Sequence, residues 1–454
     1  MQVRWQPDTS TPRVLGAVTG RQHEYRFECR GQNGGFSMAH NSTPLGDTVR
    51  AYRRTAGWNQ ERLAEESGLS VSTVRNIEQR GHARLDTLSQ VAQAFGVPTS
   101  ALFAPGVPHP VGDDDSANRQ LLASLRQALM PPVGIAGETL ADPGEAAEPS
   151  AVRRLIEDAL SLYNSDRYES VALMLPGLLR QADAAVVAAE EEGCHQEAVL
   201  VRAHALLLAG KYLTQVRQYD MAYQALAEGI RLARELDNTL TAATGVTGLC
   251  WLLLRQDRFD EAERLAATTA EAIEPKLSTA SMGELAAWGE LCLRIASAAI
   301  RNNREDEAKQ ARRMAATAAS AMGHEHRDYR THWARFGPAT VEIKAVEDLS
   351  LAGDAHGVLS RKDQGLLSKE TLEAVGRPSA INWHRHRLDI ARSHVKVGST
   401  HDAMEELARI KKKAPSWIRH QPMARYVMED ILKTRKRTLT REMREMATLL
   451  NVRA

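Results

Sequence analysis

The sequence predicts an all-α protein in two parts, a small N-terminal helical domain followed by a long stack of helical hairpins. Three observations carry this expectation. Alanine and leucine run throughout, and aromatic residues make up only 5 % of the chain, a composition that favours helix over strand. Between residues 45 and 103, glycines at 57, 68, 81 and 96 each stand just past a stretch of helical periodicity, where a left-handed residue ends a helix. From residue 150 onward one unit keeps returning, at 217–226, 255–266, 301–311 and 398–408. It consists of a short polar turn, an acid, an alanine and an amphipathic helix, as in stacked hairpins.

Residues 1–40 are polar, with GQNGG at 31–35 and no sustained period, and are expected to be a disordered extension. Met38, just before the first good helix, is an alternative start. A basic arm is the rival expectation, because Arg4, Arg13, Arg21, Arg26 and Arg30 outnumber Asp8, Glu24 and Glu28. Residues 41–105 form the small domain, with five short helices, the fifth opened by Pro98. Residues 106–150 read as a linker with one short helix near 119–130, and residues 151–454 as the hairpin stack.

With 454 residues and a net charge of +1, the chain has room for two or three domains and no global attraction for polyanions. Cys29, Cys194, Cys250 and Cys292 are scattered and form no CxxC pair, so neither a disulfide framework nor a zinc site is expected. There is no run of eighteen apolar residues and no signal-peptide core. A cytoplasmic protein, without a membrane and beside the nucleoid, is the expectation. Gly-rich phosphate loops, nucleophile motifs and metal-ligand sets do not occur, so no enzyme activity, catalytic residue, metal or cofactor is expected. The pairs His324/His326 and His384/His386 stand two apart, which on a helix do not share a face, and are expected to be surface histidines. Lys411–Lys413 and Lys433–Arg437 read as solvated helix faces.

The most informative stretch is residues 59–80. Asn59 suits the N-cap of a helix running to Ser67, Gly68–Leu69 makes a turn, and Ser70 caps a second helix from Val71 to about Gln79. Leu63, Ala64, Leu69, Val74 and Ile77 share one small core. Two short helices joined by such a turn make a helix-turn-helix. At 100° per residue, Ser72, Arg75, Asn76 and Gln79 fall opposite Val74 and Ile77, and these side-chain types read base edges. Val71 lies at the border, placed to touch a thymine methyl. Glu78 points inward, and a buried carboxylate needs a partner.

Residues 45–103 resemble the Cro-like, XRE-type helix-turn-helix family with its λ-repressor-like five-helix fold. The matching positions are Leu45, Arg53, Gly57, Asn59–Gln60, Leu63–Ala64, Gly68, Ser70, Ser72–Val74, Ile77–Glu78, Leu88, Ala92, Gly96–Val97 and Leu102–Phe103. The resemblance implies double-stranded DNA as partner, with Asn59 and Gln60 on phosphates and Val71, Ser72, Arg75 and Asn76 over bases. Ser70 and Thr73, at the start of the same helix, complete the expected DNA-binding set. It also implies an Arg53–Glu78 ion pair. One departure, Arg84–Leu85 where the family often has Pro-Ser, is expected to be harmless. Seven arginines in 45–103 face six carboxylates, so one copy attracts DNA weakly and a homodimer on a two-fold site is expected.

The hairpin stack resembles tetratricopeptide repeats. Gly210 stands twelve residues before Ala222, with Leu206 and Leu226 flanking, and Pro415 stands twelve after Ala403. Cys250 and Ala296 take the glycine position before Ala262 and Ala308. The whole plan is similar to actinobacterial regulators that join this DNA-binding domain to degenerate tetratricopeptide-like repeats forming an α-solenoid. It is also similar to peptide-sensing regulators whose repeats dimerise and hold a signal. That implies a peptide or small-molecule effector in a groove, for which Tyr212, Gln215, Trp251, Trp288 and Arg294 are the candidates. The alternatives are that the aromatics are core and Arg294 has an internal partner, and that the repeats serve only dimerisation or partner binding.

Overall fold

The computed structural model describes residues 44–81, 83–102, 116–135, 147–189, 192–326, 333, 335–434 and 439–452. The N-terminal extension, Phe103, and the stretches 104–115 and 136–146 of the expected linker lie outside the described residues. Among the described residues the chain is helical throughout, without a strand.

The small domain begins with α1 (Pro44–Thr55), α2 (Gln60–Ser67), α3 (Val71–Arg80) and α4 (Leu85–Phe95). The glycines at 57, 68, 81 and 96 all have positive φ, as their spacing predicts. Asn59 caps α2 through the N–H of Arg62, and Ser70 caps α3 through that of Thr73. Among the described residues the expected fifth helix is represented by the 3-10 helix Thr99–Leu102. Leu45, Val49, Leu63, Val74, Ile77, Leu88, Val91 and Leu102 form the core.

The short helix expected in the linker is α5 (Ser116–Leu129). Its Leu122 and Leu125 are fully buried in the core of the following region, so it packs as part of that region. Next come α6 (Pro149–Asn164), α7 (Tyr168–Ala188), α8 (Glu192–Gln215), α9 (Tyr219–Glu235), α10 (Thr239–Arg255) and α11 (Phe259–Ala272). They are followed by α12 (Met282–Arg301), α13 (Glu305–Met322), α14 (Pro338–Ala352), α15 (Ala355–Arg361) and α16 (Lys369–Val375). The chain closes with α17 (Ala380–Lys396), α18 (Thr400–Lys413), α19 (Pro415–Arg419), α20 (Pro422–Thr434) and α21 (Arg441–Leu449). From α6 to α15 each helix packs on the next, and α6, α8, α10, α12, α14 and α17 also pack each on the one before in that series. α7 has the length and composition to cross a membrane, but its Val171, Leu175, Leu178 and Leu179 are buried in the core.

The recurring polar turns have one geometry. Asp166, Arg217, Asp257 and Asn303 all have φ near +60°. In each turn the next residue's N–H returns to a carbonyl five residues back, as from Gln218 to Leu213 and from Arg304 to Ala299. That is the six-to-one bond of a Schellman turn, which satisfies the last carbonyls of one helix and reverses the chain into the next. Close packing then follows from small residues. A Cβ on Gly210 of α8 would lie 2.5 Å from the Leu226 side chain of α9, so only glycine lets these two helices approach so far. Cys250, Ala262, Ala296 and Ala403 are fully buried, and Ala308 nearly so.

The histidines correct one expectation. His324 is exposed, but His326 and His386 are buried. His384 is half-buried against the Trp417 ring. α17 is wrapped by α14, α15, α18 and α20, so positions two apart both meet protein. No three metal-ligating side chains cluster among the described residues.

Candidate nucleic-acid interface and interior cavity

α3 presents the surface the wheel predicts. Ser72, Arg75, Asn76 and Gln79 are exposed together, while Val74 and Ile77 are buried beneath them. Val71 is half-buried at the border. Ser70 Oγ sits 2.8 Å from both Ser72 Oγ and Thr73 Oγ1, a cluster of hydroxyls at the helix N-terminus. There the unpaired N–H groups and the positive end of the helix dipole favour a phosphate. Asn59 is exposed and spends its Oδ1 on the Arg62 N–H at 2.7 Å, leaving its amide protons outward.

Gln60 is engaged inward. Its Nε2 donates to Glu78 Oε2 at 2.8 Å. Arg53 grips the same carboxylate with Nε at 2.5 Å and Nη2 at 3.0 Å, and Arg50 donates to the Glu78 carbonyl at 2.7 Å. Burial works against the Glu78 charge, but the hydrogen bonds from Arg53 and Gln60 and the nearby arginines outweigh it. The carboxyl is held below its usual range. The expected Arg53–Glu78 pair is therefore present, with Gln60 as a third member tying α2 to α1 and α3. No wheel of one helix could reveal that third member.

The pair Arg84–Leu85, expected to be harmless, fastens the DNA-binding domain to the rest of the chain. Arg84 makes a two-pronged bond to Asp430 of α20, with Nη2 at 2.8 Å from Oδ1, and also donates to the Tyr426 carbonyl. Its guanidinium lies 4.7 Å from the Tyr426 ring centre. Leu85 packs on Leu253, Leu254, Phe259 and Ala298. Asp86 accepts from Arg392 of α17 at 2.7 Å. Asn303, in the turn after α12, bonds the side chain and carbonyl of Ser89 and the hydroxyl of Thr99. Thus α4 is held by α10, α17, α20 and the α12–α13 turn, while the outer face of α3 stays free. These partners lie more than 160 residues away in sequence, beyond any local signal.

The five groove candidates divide. Gln215, Trp251 and Arg294 line one interior cavity of about 110 Å³. Tyr212 is buried core, edge-on to Tyr168, and Trp288 is core beside Leu291 and Phe336, so neither lines it. Arg294 does have an internal partner, Glu290 Oε1 at 2.8 Å. Sequence reasoning missed Lys211, Lys344 and Arg385, which line the same cavity. Their signal is a cation interrupting an apolar helix face, the one that singled out Arg294. The cavity shares the lining residues Asn164, Trp333, Arg335 and Ser379 with a groove of about 1450 Å³ between α6, α8, α17 and α18.

No curated protein matches the chain. Residues 49–102 match the helix-turn-helix family profile, and with the capped α2–α3 pair and the exposed polar face of α3 they establish that the chain carries an XRE-family helix-turn-helix domain.

Proposed function

We propose that the protein is a sequence-specific transcription regulator rather than an enzyme. In this reading it acts in the cytoplasm as a homodimer, and its helical region is a tetratricopeptide-like solenoid that takes up a signal altering DNA affinity. The observation that carries this reading is a shared set of helices. α10, α12 and α17 contribute Trp251, Arg294 and Arg385 to the cavity, and the same helices or their turns hold α4. A ligand that shifts these helices therefore acts on the DNA-binding domain directly, and its leverage is its preference for one arrangement over another.

The solenoid reading is supported by the repeated Schellman turns and by the packing of alternate helices. The domain plan is similar to that of the actinobacterial regulators of this type. The dimer reading rests on the near balance of charge around α3, which leaves one copy with little pull on phosphates.

The test begins with recovery of the genomic fragments that the protein retains. Arg75→Ala or Asn76→Ala is expected to cost about 1–3 kcal/mol at that operator and to spare random DNA. Equal losses on both would remove α3 from the role of base reader. Stripping bound small molecules is expected to change operator affinity; a repeat region that only dimerises predicts no change.

A further inference from the structure

The interior cavity is crowded with positive charge. Among the described residues five cations line it, Lys211, Arg294, Arg335, Lys344 and Arg385, against one carboxylate, Glu290. A sixth, Arg255, stands at its edge over Trp251. The guanidinium carbons of Arg255, Arg294 and Arg385 lie 5.5, 5.5 and 3.9 Å from the Trp251 ring centre, so three arginines converge on one indole. Arg294 and Lys344 have carboxylate partners in Glu290 and Glu347. Arg385 and Lys211 have none within ion-pairing distance among the described residues; each rests on an indole ring instead, Trp251 and Trp333.

Buried like charges repel, and a buried donor without an acceptor is costly. Both costs are present here. Arg255 Nε and Nη2, Arg294 Nε and Trp251 Nε1 are enclosed and have no hydrogen-bond partner among the described residues. Burial, with Arg255 beside it, brings Arg385 down to about 9, and burial lowers Lys211 and Lys344 as well. What these groups lack is a set of acceptor oxygens carrying negative charge. The cavity of about 110 Å³ has room for one tetrahedral oxyanion. Among the described residues the groove outside adds seven further arginines and lysines and the carboxylate of Glu157; Arg153, Arg387 and Arg409 of these are paired with Glu197, Glu406 and Glu405. Trp333 and Trp383 offer apolar faces there.

We propose that this cavity is an oxyanion site and that its ligand is a phosphorylated small molecule of at least two negative charges, whose phosphate enters among Arg294, Lys211 and Arg385 while its body lies in the groove. The cation excess selects a polyanion over a monocarboxylate, and the narrow inner chamber selects a head group over a peptide chain. The proposal rests on the signal-binding reading above and names the chemistry of that signal.

The test uses the full chain and inorganic pyrophosphate as probe, with inorganic phosphate and tetraglutamate as comparisons, by calorimetry at constant ionic strength. Pyrophosphate is expected to bind once per chain, more tightly than either comparison, and to raise the melting temperature. Arg385→Leu is expected to weaken that binding at least tenfold while raising the melting temperature of the ligand-free protein, because it removes a half-buried charge that has no carboxylate partner among the described residues. Absence of pyrophosphate binding, tighter binding of tetraglutamate, or an Arg385→Leu chain that binds normally would overturn the proposal. So would an Arg385→Leu chain that melts lower or does not fold, since Arg385 would then be a structural cation. Pyrophosphate binding that leaves DNA affinity unchanged would keep the oxyanion site and remove the signalling reading. An uncharged co-purified molecule that changes DNA affinity would do the reverse.

Discussion

Replacing Arg84 by alanine tests whether the DNA-binding domain is held or merely tethered. The side chain bonds both oxygens of Asp430 and the Tyr426 carbonyl, and it is 23 % exposed against 32 % for Asp430. A charge-assisted pair of this kind contributes about 1.5–3 kcal/mol when shielded. Partial exposure screens it, so a coupling of about 1–2 kcal/mol is expected. A double-mutant cycle of Arg84→Ala and Asp430→Ala, followed by urea unfolding of the full chain, isolates that term from the stacking on Tyr426. Hydrogen exchange across α4 and α20 should rise in either single variant. A coupling below about 0.3 kcal/mol, within the scatter of independent sites, would refute the clamp. So would unchanged exchange at α4.

Two further outcomes follow from the interior. Burial, with Arg387 adding to it, brings His386 down to about 4, so it stays neutral in the fold while the unfolded chain takes up a proton near pH 6.5. Its contribution is complete above pH 6.5 and is lost as pH falls toward 4, at most roughly 3 kcal/mol; stability of His386→Leu against pH should be flatter over that window, and an unchanged slope would contradict the assignment. In α12, a Cβ on Gly289 would lie 2.1 Å from the Phe336 ring, so Gly289→Ala should destabilise by about 1–3 kcal/mol. Gly177→Ala in α7, with nothing within 4 Å, should gain about 0.5–1 kcal/mol by helix propensity. Equal effects at the two glycines, read by thermal melts, would refute the packing argument.

The helix-turn-helix was legible in the sequence because its determinants are local. Asn59, Ser70 and the glycines at 57, 68, 81 and 96 act on their own turns, and Val74 and Ile77 sort the faces of one short helix. The hairpin turns were legible for the same reason. What stayed hidden depends on partners distant in sequence. Arg84 meets Asp430 across 346 residues, so its departure from the family pattern had no visible use. His386 counts as surface when α17 is considered alone and becomes core once helices cover it on several sides. Trp251 and Arg294 were found because a polar or bulky residue interrupted an apolar face. Tyr212 and Trp288 gave the same signal and are core, since periodicity cannot tell an interior ring from one that borders a cavity.

The clamp at Arg84 and Leu85 bears on how freely such a protein can be recombined. A helix-turn-helix domain grafted from a relative with proline and serine at these positions would keep its own caps, core and base-reading face, and would recognise its own operator. It would lack the guanidinium for Asp430 and the leucine for the Leu253–Phe259 surface. Such a chimera would be held to the helical region by fewer contacts than the native domain, and restoring arginine and leucine at just those two positions would be the smallest graft able to rebuild the clamp on Asp430 and on the Leu253–Phe259 surface.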